Sequence, residues 1–285
     1  MTAPRRIQFV ALIALAVMLL PGFAAAQERG PLWDKIRDSG RLVCGALPAY
    51  PIVSYRVDGP RRYEGYSAGF CRAVAAALAV EMKKPIEIAW QETAWATVVL
   101  DLQSGRIDMF AGMTATEERK KALDMAGPMY ELADCMINRK GFPGFATWEG
   151  YNDPKVRIAA TAGTSEEKAV RALAPKAEII TFKEVSEAVL AIQSGRADAL
   201  PLAITTCLNT IKRAAAVFGG YVVPEPVHSS GSGAGMRRDG DGRFAAWLQK
   251  WAEESRANGT VKTIFLEQMK LADYDLSNLP AGLKF

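Results

Sequence analysis

Gly112-Met113-Thr114-Ala115-Thr116-Glu117-Glu118-Arg119 joins an apolar stretch to a charged one, and its reading decides the fold. Residues 107–111 read as a short buried strand, and Thr114, three places before Glu117, has the capping-box spacing that opens a helix. Such a junction gathers free backbone N–H groups, the Thr114 hydroxyl and, one turn on, the Arg119 guanidinium. These are donors for a small anion such as a carboxylate. Runs like 117–121 are usually solvated charge, but the position of Arg119 after Gly-x-Thr at a strand end favours a ligand role.

A second stretch repeats the design. Residues 156–160 are strand-like, Thr161-Ala162-Gly163-Thr164-Ser165 makes a turn, and Thr164 with Glu167 again has capping-box spacing. The two stretches are paired by an internal repeat. Leu102-Gln103-Ser104-Gly105-Arg106-Ile107-Asp108 recurs as Ile192-Gln193-Ser194-Gly195-Arg196-Ala197-Asp198, each an amphipathic helix ending at Gly and leading to a strand. Two matching helix starts suggest a clamp around one ligand.

Working outward, strand, helix and strand alternate. A strand is expected over 41–46, a helix spans 66–78 with Phe70, Val74 and Leu78 on one face, and a strand covers 86–90. A helix over 93–103 would carry Trp95, Val98, Val99 and Leu102 on one face. This rhythm predicts an α/β fold with parallel sheets, whose ligands gather at the carboxyl ends of strands. Residues 132–138 and 221–236 read as two crossings between lobes. Tyr50, in the loop after the first strand, and Trp95 are candidates to cover a ligand, against the plainer readings of a turn residue and a core aromatic.

The N-terminus has the layout of a cleavable secretory signal peptide over 1–26: Arg5-Arg6, an apolar run, then Ala24-Ala25-Ala26. The net charge of +4 is spread along the chain rather than collected in a stripe, which argues against nucleic acid. The four cysteines form no Cys-x-x-Cys motif, and no metal or cofactor is expected. In an oxidising compartment Cys44, on the first strand, and Cys71, on the next helix, are the expected disulfide. Whether Cys135 pairs with Cys207 is left open. His228 reads as a loop residue, Asp239-Gly240-Asp241-Gly242 as a turn, and Glu166 and Glu167 as helix-capping acids.

Taken in order, residues 42–55, 65–78, 102–108, Gly112 to Arg119, Gly163-Thr164-Ser165 and Gly259-Thr260-Val261 resemble the amino-acid-type family of periplasmic solute-binding proteins that serve ABC importers. The resemblance implies the two-lobed type II periplasmic-binding-protein fold with two crossing strands as a hinge. Lobe 1 would comprise 27–134 and 232–285, and lobe 2 would comprise 135–231. It implies that Arg119 pairs with a ligand carboxylate, that Thr114, Thr164 and Ser165 add donors, with Thr161 nearby, that Gly112 offers a carbonyl, and that Tyr50 and Trp95 cover the side chain. One departure bears on the cargo. The acid that such proteins carry for the α-ammonium group falls at Ala203 here.

The expected function is therefore that of a monomeric, non-enzymatic periplasmic protein that captures an amino acid or related small carboxylate for an inner-membrane permease. The alternatives are a dehydratase-type enzyme on the same scaffold, with Glu166 as its acid, and a sensory binding protein without a permease.

Overall fold

The computed structural model describes residues 30–50, 52–57, 63–274 and 282–285; the expected signal peptide lies outside them. Helix α1 (Leu32–Ser39) ends where Gly40 turns left-handed, and β1 (Arg41–Ala46) follows. Three short antiparallel strands, β2 (Ala49–Tyr50), β3 (Ser54–Arg56) and β4 (Tyr63–Glu64), make a small separate sheet. Then come α2 (Tyr66–Glu81), β5 (Glu87–Glu92), α3 (Val98–Gln103), β6 (Met109–Thr114) and α4 (Glu117–Ala122). Strand β1 pairs in parallel with both β5 and β6.

Strand β7 (Asp124–Arg139) is long and carries the chain out of this half. The second half holds α5 (Trp148–Tyr151), β8 (Arg157–Thr161), α6 (Ser165–Leu173), β9 (Glu178–Phe182), α7 (Val185–Gln193), β10 (Ala199–Ala203), α8 (Ile204–Arg213) and β11 (Phe218–Val222). Strand β12 (Ser229–Met236) returns, and α9 (Arg243–Ala257), α10 (Thr260–Leu271) and β13 (Leu283–Lys284) close the chain against the first half. The large sheet runs β5-β1-β6-β12-β7-β10-β8-β9, so β12 and β7 sit at its centre and join a parallel set on each side.

The internal repeat has a structural meaning. In each copy the helix stops before a glycine with positive φ, 64° at Gly105 and 71° at Gly195. The buried aspartate that follows then clamps the neighbouring strand. Asp108 Oδ2 accepts from the Val43 backbone N–H at 2.9 Å and its own N–H donates to the Val43 carbonyl, while Asp198 does the same with Arg157 at 3.2 Å. Each aspartate also has a cation, Lys35 for Asp108 and Arg139 with Arg157 for Asp198. One strand–helix unit thus serves both halves of the sheet.

Three sequence expectations are corrected. The helix expected from residue 93 begins at Val98, because the Thr93 and Thr97 hydroxyls donate to Asp101 and hold 94–97 in a turn, so Trp95 stands on a loop. Pairing of Thr114 with Ser232 draws β6 on to Thr114, and the helix cap is Thr116, whose hydroxyl accepts from the Arg119 N–H. The disulfide is Cys135–Cys207 rather than Cys44–Cys71. Helix α8 packs on β7 and brings the Cα atoms of 135 and 207 to 6.5 Å, within bridging range. Cys44 and Cys71 are neighbouring buried thiols of the core, acting as small apolar residues.

Candidate functional site

The carboxyl ends of both strand sets meet at one small cavity of about 30 Å³, room for roughly two waters. The first half contributes Tyr50, Tyr66, Trp95, Gly112 and Thr114; the second contributes Thr164, Ser165, Glu166, Ala203 and Thr206. The two crossing strands form its back, with Leu132 and Asp134 on β7 and Ser230 and Ser232 on β12. Most of the sequence candidates are therefore brought together.

Sterics force glycine at two positions that shape this wall, one in β6 and one in the turn after β8. At Gly112, with φ 84°, a Cβ would meet the Tyr66 ring at 2.8 Å. At Gly163, with φ 77°, it would meet the Trp95 carbonyl oxygen at 2.6 Å, so the two halves approach there backbone to backbone.

Arg119 and Thr161 stand behind the wall rather than in it. The Arg119 guanidinium, 4% exposed, donates to the carbonyls of Thr114 and Gly163, both at 3.0 Å, and lies 5.4 Å from the centre of the Trp95 ring. Trp95 also meets Tyr50 and Phe110 edge-on. Burial lowers the Arg119 pKa to about 10, which leaves it charged at neutral pH. Among the described residues no carboxylate is hydrogen-bonded to it. Thr161 is buried, and its carbonyl accepts from the Thr164 hydroxyl. That hydroxyl also accepts from the Glu167 N–H as the cap of α6, while the Glu167 carboxylate reaches back to the Gly163 N–H.

Ser165 ties the halves together, its Oγ lying 3.1 Å from both Thr114 Oγ1 and Glu166 Oε2. Lys168 of α6 pairs with Glu118 of α4 outside the cleft.

Asp134, His228 and Thr206 were not anticipated at the site, and Glu166 was anticipated there only as the acid of the enzyme alternative. Glu166 is not a spare capping acid: it faces the cavity, and burial, reinforced by the charge of Asp134, raises its pKa to about 7. Asp134, 5% exposed, enters from β7, and burial raises its pKa against the opposing pull of His228. His228, expected as a plain loop residue, has Nδ1 2.7 Å from Asp134 Oδ2, and that hydrogen bond raises its pKa. Thr206 is buried in the wall with no hydrogen-bond partner for its hydroxyl among the described residues. The double acid Glu166-Glu167 was a visible signal for the first. Asp134 had none, since only strand register brings it here.

Two strand sets joined through central crossing strands, with a polar cavity between their carboxyl ends, define a two-lobed solute-binding fold of the type II periplasmic class. The chain belongs to the bacterial extracellular solute-binding proteins, family 3, which it matches over residues 42–268. It is 27% identical over 206 residues to the glutamine-binding protein of an ABC transporter from Bacillus subtilis, covering 69% of this chain and 74% of that one. To the L-arginine-binding protein of Pseudomonas aeruginosa it is 25% identical over 275 residues, 91% of this chain and 95% of the other. Among solved structures, an ancestral amino acid-binding protein, described as a precursor of cyclohexadienyl dehydratase, superposes with a TM-score of 0.72 at 26% identity, covering 84% of this chain and 99% of that one. Among the described residues no helix is long and apolar enough to cross a membrane.

Proposed function

We propose that this protein is the periplasmic, monomeric solute-binding component of an ABC importer, capturing an amino acid or related small carboxylate and delivering it to an inner-membrane permease. Lobe 1 would comprise 27–134 with 232–285 and lobe 2 would comprise 135–231, with β7 and β12 as the hinge. Closure over the ligand, without chemistry, is the mechanism. The observation that carries this reading is Arg119, a buried cation at the lobe boundary whose hydrogen bonds go only to two carbonyls. The acid whose charge acts on it, Glu166, has its own pKa raised to about 7 and is not hydrogen-bonded to it. The buried cation is thus only partly compensated, which is costly, and a ligand carboxylate supplies a full partner. When the lobes part, the Gly163 bond is released and the guanidinium turns to the incoming anion beside Thr114 and Ser165. Tyr50 and Trp95 cover the rest of the ligand.

A thermal-shift screen of the mature protein against amino acids, hydroxy acids and keto acids tests the reading. A true ligand at a hundred times its dissociation constant stabilises by about 2.7 kcal/mol, a shift of roughly 5 to 10 °C for a chain of this size. No shift with any carboxylate would sink it.

A second reading, a dehydratase-type enzyme on the same scaffold, draws on one observation: Glu166 faces the cavity with a pKa near 7, suited to a general acid. Product formed from a cyclic carboxylate, and abolished in Glu166→Gln, would establish it. The same substrate bound without turnover would exclude it.

A further inference from the structure

Ala203, the last residue of β10, lies directly opposite Asp134 of β7 in an antiparallel pair. Residues so paired project to the same side of a sheet with Cβ atoms about 5 Å apart. Both line the cavity. The methyl of Ala203 therefore leaves room on its own strand while a carboxylate stands on the next one.

We propose that Asp134 and Glu166 form a cation-binding subsite of this cavity, so that the ligand carries a protonated amine as well as a carboxylate. The inference rests on the solute-binding reading above and specifies the chemistry of its cargo.

Two carboxylates share one small chamber, and the charge of Asp134 acts on Glu166. Among the described residues neither is hydrogen-bonded to a Lys or Arg, although the charge of Arg119 acts on Glu166 from beyond hydrogen-bonding range. Glu166 is hydrogen-bonded to Ser165, and Asp134 to His228 and nothing larger in charge. Buried like charges of this kind are costly unless a cation sits with them. The buried guanidinium of Arg119 is held by the carbonyls of Thr114 and Gly163 and does not itself line the cavity. The cleft thus has separate acidic and basic poles, the pattern that complements a zwitterion. The Thr206 hydroxyl, buried in the wall without a partner among the described residues, supplies a further acceptor for an ammonium N–H. His228 lies behind Asp134 and orients it, leaving the second carboxylate oxygen, Oδ1, for the ligand.

The test is calorimetric titration of the wild-type protein, Asp134→Asn and Glu166→Gln with the proteinogenic L-amino acids and with their 2-hydroxy counterparts, which keep the carboxylate and lose the ammonium. The wild type should prefer the amino acid over its hydroxy counterpart. Asp134→Asn should weaken amino-acid binding by about 10- to 100-fold, the range for losing one hydrogen bond to a charged group. Its affinity for the hydroxy acid should hardly change, and Glu166→Gln should behave alike. If the wild type binds both series equally, or both variants keep the preference for the amine, the subsite is wrong while carboxylate capture stands. If the wild type binds neither series, the subsite and the solute-binding reading fall together. The wild-type comparison decides even if a variant does not fold.

Discussion

Arg119 reaches from α4 to the carbonyl of Gly163 in the opposite half, Nη2 to O 3.0 Å, at the point where Gly163 also packs against the Trp95 backbone. One cation and one glycine thus meet where a loop of the first half touches a turn of the second. On the proposed reading, this contact sets both how far the cleft shuts and which charge its ligand brings.

The glycine is the easier half to test. A Cβ at Gly163 would lie 2.6 Å from the Trp95 carbonyl oxygen, and φ of 77° strains any other residue. Gly163→Ala should therefore hold the lobes apart. Small-angle scattering with saturating ligand should show less compaction than for the wild type, and affinity should fall by an order of magnitude or more. Wild-type compaction and affinity in this variant would show that closure does not pass through this contact.

Glu166 predicts a pH dependence. Its pKa is raised in the folded protein from 4.5 to about 7, so the folded state holds a proton that the unfolded chain releases. Its contribution is fully favourable below the unfolded value and is lost as pH rises through about 7, a swing on the order of 3 kcal/mol. Glu166→Gln, which cannot ionise, should raise the melting temperature of the ligand-free protein at alkaline pH and change it little at pH 4. An equal effect at both pH values would mean that the side chain is not desolvated as described.

The Cys135–Cys207 bridge closes a loop with a sequence separation of 72 and ties α8 to β7 beside two cavity residues, Thr206 and Asp134. Loop entropy alone gives about 4 kcal/mol for a span of this length. Changing both cysteines to alanine should lower the melting temperature by roughly 8 to 16 °C and weaken ligand binding as well, since the wall loses its anchor. A reducing agent should do the same to the wild type and nothing further to the variant.

Much of this was legible in the sequence because it is local. The Gly112 to Arg119 stretch and the turn at Gly163 announced two strand ends that do meet at one cavity. The repeated Ser-Gly-Arg-x-Asp word announced two equivalent units, and its aspartates hold matching strands in both. What escaped was non-local. Asp134 faces Ala203 only through antiparallel register between strands far apart in the chain, and His228 reaches Asp134 only because β12 returns alongside β7. The disulfide failed for the same reason: the sequence favoured a pair on adjacent elements, and packing of α8 on β7 decided otherwise. Glu166 was visible and read first as a capping acid and only second as a cleft acid, since an acid in the first turn of a helix is explained by the helix alone.

The most direct measurement is calorimetric titration of Arg119→Met, with the amino acid that gives the largest thermal shift in the wild type. Methionine keeps much of the apolar packing against Trp95 and removes the charge. Binding should weaken by at least ~100-fold, as expected for the loss of a buried, charge-paired hydrogen-bonding group. The ligand-free variant should melt close to the wild type, because relief of a buried and only partly compensated cation offsets the loss of its two carbonyl hydrogen bonds. Affinity retained in Arg119→Met would contradict the account at its centre: the ligand's carboxylate would then be held elsewhere, and Arg119 would be only a strut between the lobes.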